Sequence, residues 1–125
     1  PIKNEIFYAE KNSGSFFNNQ RIRVSKKNDL EDCLFATNHL GAKYSELNLR
    51  YTGCAALDLA YVGSGRLDGF FQNDINIWDI AAGAIIVEEA GGQVNDISKF
   101  KINNINIRAS STNIHSKLLE KLNNF

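Results

Sequence analysis

Short stretches of β-forming residues separated by turn residues open the chain. Residues 6–9 are rich in strand formers, residues 11–14 have turn composition, and residues 15–17 lead back. After a second turn, residues 21–24 alternate polar and apolar side chains, the period of a half-buried strand. We therefore predict a β meander over residues 1–25. It has two exposed edges and little to pack on, so we interpret it as a hairpin left from a missing N-terminal sheet.

From residue 26 onward, strand patterns alternate with helix patterns. Strands are predicted at 33–37, 47–51, 66–71, 93–95 and 105–110, and helices at 53–62, 78–92 and 113–122. Polar residues fill the connector at 25–32 and a loop at 38–46. Residues 81–87 carry no polar side chain, which predicts a helix buried on both sides. The alternation predicts an α/β domain over residues 26–125, with a mixed sheet and helices on both of its faces.

Composition narrows the possible partners. The 125 residues include 14 Lys plus Arg and 14 Asp plus Glu, so the formal net charge is zero. Because no basic excess is present to neutralise phosphates, we expect no direct binding to nucleic acid. No apolar run reaches the roughly 18 residues that a transmembrane helix needs, so we expect no membrane span.

The sulfur-containing residues give two further expectations. Cys33 and Cys54 lie far apart with no CxxC spacing, which favours reduced thiols and a cytoplasmic protein. The sequence contains no Met and begins at Pro1, which favours a piece of a longer protein.

Asp79 is the first candidate for chemistry, and its position allows two interpretations. An Asp at the start of a helix commonly caps it by accepting a backbone hydrogen bond, and position alone favours this role. Its carboxylate is also a suitable ligand for a hard cation such as Mg²⁺. Such a cation takes one or two carboxylates and completes its shell with phosphate and water.

A run of small residues forms the second candidate. Gly53, Cys54, Ala55 and Ala56 stand at the start of a predicted helix. Backbone N–H groups at a helix N-terminus can bind an anion. Small side chains also permit close packing against a neighbour. Both interpretations stay open.

The other acidic residues have structural interpretations. We expect Arg66 and Asp68 to form a weak surface pair. Asp58 lies alone in an apolar helix, so it must face a partner or water. Of Glu88 and Glu89, at least one is expected to be a solvated or capping carboxylate.

Motifs of several common enzyme classes are absent from the sequence. No Ser lies in GxSxG, no phosphate-binding P-loop occurs, and no two His have metal-ligand spacing. His39 lies in a polar loop and His115 on a helix face expected to be exposed, and neither receives a role.

Four motifs together resemble the inositol monophosphatase family, most closely its bacterial members. They are Gly-x-Ala-Ala-Leu-Asp-Leu-Ala at 53–60, Gly-Arg-Leu-Asp-Gly-Phe at 65–70, Trp-Asp-Ile-Ala-Ala-Gly at 78–83 and Glu-Ala-Gly-Gly at 89–92. The resemblance implies hydrolysis of a phosphate monoester with Mg²⁺ as cofactor, inhibited by lithium. It also implies a homodimer in the full-length protein and, for the bacterial type, a partner in the transcription machinery.

The resemblance also implies roles for single residues. Asp79 takes the position of a metal ligand that helps to align the substrate. Gly53, Cys54 and Ala55 take positions that contact the substrate. Gln72 stands where inositol-specific members carry a Glu that contacts a hydroxyl; its amide can still form that hydrogen bond but carries no charge. A related phosphatase of nucleotide or sugar phosphates therefore stays open.

The first signature of the family, an Asp-Pro-x-Asp-Gly-Thr run, does not occur in this sequence. In the family this run and an earlier Glu supply most metal ligands and activate water. The resemblance therefore implies that the chain corresponds to the C-terminal part of such a phosphatase, holds no catalytic residue of its own and is inactive alone.

Overall fold

The computed structural model describes residues 6–37, 47–95 and 105–123. Their strands are β1 Phe7–Glu10, β2 Gly14–Phe17, β3 Gln20–Arg21, β4 Leu34–Ala36, β5 Asn48–Arg50, β6 Gly69–Ile75, β7 Gln93–Val94 and β8 Ile105–Ser110. The helices are α1 Ala55–Gly63, α2 Ala81–Glu89 and α3 Thr112–Asn123, and 3-10 turns lie at Leu30–Asp32 and Ile77–Asp79. No helix in these ranges is long and apolar enough to cross a membrane.

The strands form two sheets. β1, β2 and β3 form an antiparallel three-stranded sheet in chain order. The second sheet has the order β5-β4-β6-β8-β7. In it, β4 runs parallel to β5 and β6, whereas β8 runs antiparallel to β6 and β7. This mixed sheet confirms the predicted α/β class.

Helices cover both faces of the five-stranded sheet, as predicted. Consecutive side chains of a strand point to opposite faces, so Phe70 and Phe71 of β6 belong to different cores. Phe70 packs with Leu59 of α1 and Val87 of α2. Phe71 packs with the apolar face of α3, which includes Leu118.

Helix α2 differs from its prediction at its ends and in its burial. It spans Ala81–Glu89 and not 78–92, because Ile80 has a non-helical backbone (φ −129°, ψ −15°) and the preceding residues form a 3-10 turn. Ala82 and Ile85 are exposed, so the prediction of burial on both sides was wrong. The exposed Glu88 lies on the same face of α2 as Ala81 and Ile85 and was the signal in the sequence for the exposed side.

Two glycines bring α1 and α2 together. A Cβ on Gly83 would lie 2.6 Å from Cβ of Leu59, and a Cβ on Gly63 would lie 2.8 Å from Cγ2 of Ile86. Real Cβ contacts do not approach this closely. Each helix therefore needs a glycine, which has no side chain, at the point where the other helix packs against it.

The β1–β2 hairpin packs on α2, so the expectation that it has little to pack on was wrong. The Ser15 hydroxyl donates to the Ile86 carbonyl oxygen at 2.6 Å. The Glu89 carboxylate accepts the Asn12 N–H at 2.9 Å and the Gly14 N–H at 2.8 Å, and these bonds lower its pKa. Glu89 thus holds the hairpin turn, whereas the exposed Glu88 is the solvated carboxylate expected of one member of the pair. The domain boundary between residues 25 and 26 stays a prediction.

Two strands have bounds that differ from the predicted ones. β3 ends at Arg21, because the Val24 N–H donates to the Ala90 carbonyl oxygen instead of extending the strand to residue 24. β6 begins at Gly69 rather than residue 66, because the N–H groups of residues 66 and 67 bond the Tyr61 carbonyl oxygen after α1. The other strands and helices within the described ranges lie within a few residues of their predictions.

Asp68 is buried and does not form the predicted surface pair. Its carboxylate accepts hydrogen bonds from the Ser25 hydroxyl and from the Leu34 N–H at 2.8 Å, and it pairs with the Lys27 ammonium at 3.2 Å. The Arg66 guanidinium instead lies 4.9 to 5.8 Å from the centres of three aromatic rings, those of Phe7, Phe17 and Tyr61. Arg66 and Asp68 are therefore close in sequence but contact different groups, aromatic rings in one case and polar groups in the other.

His115 is buried rather than exposed, which corrects the prediction for α3. Its Nδ1 lies 2.8 Å from the Ser110 hydroxyl oxygen, and burial lowers its pKa. His39 and the polar loop at 38–46 lie outside the described residues. Cys33 and Cys54 are both free, as expected, and burial raises the pKa of Cys33 to about 11.

Candidate active site

One cavity of about 480 Å³ collects the residues that the sequence singled out. It lies between the N-terminus of α1, the end of β6 and the 3-10 turn before α2. Its lining includes Gly53, Cys54, Ala55, Gln72 and Asp79. Residues from three separate parts of the chain therefore share one surface.

The Asp79 carboxylate is exposed at this cavity. The residue ends the turn Ile77–Asp79, where its N–H donates to the Asn76 carbonyl oxygen at 3.1 Å. Within the described part of the chain, its carboxylate makes no hydrogen bond or ion pair. The N-cap of α2 is Ile80, so Asp79 lies before the helix and not in its first turn. The hydrogen bond required by the capping interpretation is thus missing from the described structure.

Gly53 is required by the backbone and not by close packing. Its φ is +79°, a region that side chains rarely adopt, and a Cβ there would have no atom within 4 Å. Ala55, in contrast, is buried in the core between α1 and the sheet. Cys54 between them is exposed and makes no side-chain cap on α1. The packing interpretation therefore holds for Ala55 alone of these three.

A short chain of hydrogen bonds fixes this loop. The Cys54 N–H donates to the Thr52 hydroxyl oxygen at 3.3 Å, and that hydroxyl donates to Oδ1 of Asp58 at 2.6 Å. Asp58 is buried, and its Oδ2 has no hydrogen-bond partner. Burial raises the pKa of the Asp58 carboxyl, and the Thr52 hydrogen bond lowers it in part. Asp58 therefore faces a partner, as expected. The partner is the Thr52 hydroxyl, and burial removes water from the Asp58 carboxyl.

Substituting Asp58→Asn should remove one component of the pH dependence of stability. Because the native pKa lies above the ordinary value of 3.8, the native state binds more protons just above that pH. The free energy of unfolding therefore falls as pH rises through this window. Measured by urea denaturation between about pH 4 and pH 7, the free energy of unfolding of the unmodified chain should fall relative to that of the variant as pH rises. Asp32→Asn, at an exposed carboxylate, is the control and should leave the slope unchanged.

Gln72 reaches the cavity from β6, just before an irregularity in the strand. The register with β8 pairs Gln72 with Ile107 and Ile75 with Ile105, so β6 holds one extra residue there. Such a β-bulge commonly redirects side chains next to active sites.

Sequence reasoning missed part of the cavity lining. The residues given no role are Asp74, Ile75, Asn76 and Trp78. Asp74 is the chemically informative one, because it brings a second carboxylate to the cavity. The polar run at 72–74 within an otherwise apolar strand was the available signal.

The described lining suits a hard cation. It contains two carboxylates, those of Asp74 and Asp79, and no Lys, Arg or His. Among the described residues, no group of three His, Cys, Asp or Glu side chains could hold a metal on its own. One or two carboxylates fit Mg²⁺, which keeps several waters and shares its shell with a substrate phosphate. They do not fit a structural zinc site, which needs four protein ligands.

A family model described as the inositol monophosphatase family matches residues 1–124. The chain belongs to this family of phosphatases, as its four motifs indicated.

Individual relatives agree with this assignment. Fructose-1,6-bisphosphatase/inositol-1-monophosphatase of Thermotoga maritima is 44% identical over 98% of this chain and 52% of its own length. Nus factor SuhB of Escherichia coli is 41% identical over 78% of this chain and 42% of its own length. The solved structure of extragenic suppressor protein SuhB from Bartonella henselae has a TM-score of 0.85 and 44% identity, covering 95% of this chain and 54% of that one. The chain spans about half the length of the curated relatives it matches.

Proposed function

We propose that the protein to which this chain belongs is a Mg²⁺-dependent phosphatase of inositol 1-phosphate. The main support is the cavity, where five residues from three parts of the chain meet, among them Asp79, whose carboxylate has no partner among the described residues. Membership of the inositol monophosphatase family supports the reaction class.

In this proposal each lining residue has a distinct task. Asp79 holds Mg²⁺ through its exposed carboxylate. When bound, the cation offsets negative charge on the phosphate and activates water. Gly53, Cys54 and Ala55 contact the substrate at the N-terminus of α1. Gln72 hydrogen-bonds a substrate hydroxyl through its side-chain amide.

The remaining catalytic groups lie outside this sequence in our proposal, and this leads to a direct test. The described lining offers two carboxylates, whereas the resemblance assigns most metal ligands and the activation of water to the Asp-Pro-x-Asp-Gly-Thr run and an earlier Glu that this sequence lacks. We therefore expect no phosphatase activity from the purified chain and Mg²⁺-dependent release of phosphate from inositol 1-phosphate by the full-length protein. Phosphate release by the chain above that of its Asp79→Ala variant would refute its inactivity. A full-length protein without Mg²⁺-dependent turnover would refute the function.

The substrate has an alternative in the same class of enzymes. The Thermotoga maritima relative carries fructose-1,6-bisphosphatase in its name, and Gln72 lacks the charge that the family resemblance associates with inositol. A nucleotide- or sugar-phosphate phosphatase would share the cavity and Mg²⁺. Turnover of a panel of these esters by the full-length protein separates the two.

A second candidate function is binding to the transcription machinery. It is favoured by the 41% identity to relatives named Nus factor SuhB. Capture of purified RNA polymerase components by the full-length protein, with catalysis removed by Asp79→Asn, tests it separately from hydrolysis. A homodimer, lithium inhibition and a cytoplasmic location stay predictions.

A further inference from the structure

We propose that Asp74 is a specificity-determining residue of this cavity. Its carboxylate accepts a hydrogen bond from a substrate hydroxyl and disfavours substrates that bring a second phosphate to the same place. The inference rests on the proposed phosphatase function, but it concerns which ester is accepted rather than how the ester is cleaved.

The backbone at Asp74 is unusual. Its φ is +62°, in the left-handed region that residues other than Gly seldom adopt. Asp and Asn enter this region more readily than other side chains, at some energetic cost. The Asp74 N–H donates to Oδ1 of Asn106 at 3.1 Å, which holds the conformation from the neighbouring strand. A Gly would adopt this conformation without strain, so Asp74 can be replaced by Gly without disturbing the backbone.

Alternation along β6 places Gln72 and Asp74 on one face of the sheet, towards the cavity, and Asn73 on the other. The Asn73 side chain contacts β8, where its Oδ1 accepts a hydrogen bond from Nη2 of Arg108 at 2.7 Å. Asp74 lines the cavity together with Gln72. Within the described residues, the Asp74 carboxylate makes no hydrogen bond or ion pair and is exposed. Its acceptor capacity is therefore available to a ligand.

The chemistry of the lining indicates what that ligand carries. A carboxylate only accepts hydrogen bonds, so it fits a hydroxyl and not a phosphate oxygen. The cavity holds two carboxylates and no cationic side chain among its described residues. The cation assigned to Asp79 offsets one phosphate, so a second phosphate beside Asp74 would meet uncompensated negative charge. Asp74 thus favours the monophosphate of a polyol over a bisphosphate.

Two variants separate charge from backbone conformation. Asp74→Asn keeps a side chain suited to positive φ and removes the charge, whereas Asp74→Gly removes the side chain and relieves the strain. The full-length protein is assayed with inositol 1-phosphate, fructose 1,6-bisphosphate and p-nitrophenyl phosphate, which has no hydroxyl beside its phosphate. The matched control is Glu88→Gln, an exposed acid on α2 outside the cavity lining.

We expect the ratio of kcat/KM for the monophosphate over the bisphosphate to fall about tenfold in both variants, mainly through KM. Turnover of p-nitrophenyl phosphate, which offers Asp74 no hydroxyl, reports any general effect of the variants on hydrolysis, and the control variant should leave the ratio unchanged. Equal melting temperatures of the Asn variant and the unmodified protein would exclude a folding defect. A ratio within twofold of the unmodified protein in both variants would overturn the role of Asp74.

Equilibrium binding distinguishes failure of this inference from failure of the proposed function. If the protein does not hydrolyse these esters, the dissociation constants of inositol 1-phosphate and fructose 1,6-bisphosphate are measured by calorimetry in the presence of Mg²⁺. If no ester is hydrolysed, the phosphatase proposal fails, but a tenfold change in the ratio of dissociation constants in Asp74→Asn still supports the selectivity. An unchanged ratio, or no binding of either ligand, overturns it.

Discussion

Replacing Asp79 by Asn in the full-length protein should lower kcat on the order of 100-fold or more while the protein still folds. Asn is nearly isosteric with Asp and can cap a helix, so a capping role predicts little change. It lacks the charge that Mg²⁺ requires from a ligand, so a metal-binding role predicts a large loss and a higher Mg²⁺ requirement. Phosphate release is measured over a Mg²⁺ titration, with the circular dichroism spectrum as the check on folding.

Glu88→Gln again provides the control, because it neutralises an exposed acid on α2 outside the cavity lining. It should retain full turnover at every Mg²⁺ concentration. If Asp79→Asn also retained near-normal turnover at low Mg²⁺, the Asp79 carboxylate would not bind the metal, and the family assignment would fail at this residue.

The substitution Gly83→Leu should lower the free energy of unfolding of the chain by about 3 kcal/mol or more. A Cβ alone would lie 2.6 Å from Cβ and Cδ1 of Leu59, and the rest of the Leu side chain would enlarge this conflict. Because α1 and α2 both rest on the sheet, they cannot separate without losing apolar contacts on it. Thermal or urea denaturation of the chain measures the loss.

Ala82→Leu is the matched control, since it adds the same side chain one residue earlier in α2. Ala82 is exposed, so its stability change should stay within about 0.5 kcal/mol. Comparable losses in the two variants would mean that the assigned exposed face of α2 is packed in the chain.

The order of strands and helices could be predicted because each element carries its own local pattern. The alternation in residues 105–110 and the apolar run at 33–37 are strong local signals of strands. The exposed face of α2 was not predicted, because the interpretation rested on residues 81–87 alone and left out Glu88, which shares a face with Ala81 and Ile85. The docking of the hairpin on α2 could not be predicted, because its partners are distant in sequence.

The candidate site could also be predicted only in part from the sequence. From the residues alone, Asp79 had two open roles, and the family resemblance added Gln72 and the substrate contacts. Their meeting in one cavity follows from the topology, which brings the end of β6 beside the start of α1. Asp74 was not recognised, because the predicted strand ended at residue 71 and the alternation that places Gln72 and Asp74 on one face was not extended to it.

The attachment of the hairpin to α2 also bears on the order of folding. Its hydrogen bonds join residues 71 to 77 positions apart, whereas the hairpin pairs Phe7 with Phe17 within one short turn. Closing a long loop costs chain entropy before any contact repays it, so local pairing precedes distant docking. We therefore expect the hairpin to join last and to detach first, as a separate cooperative unit whose amide protons exchange with solvent before those of the five-stranded sheet.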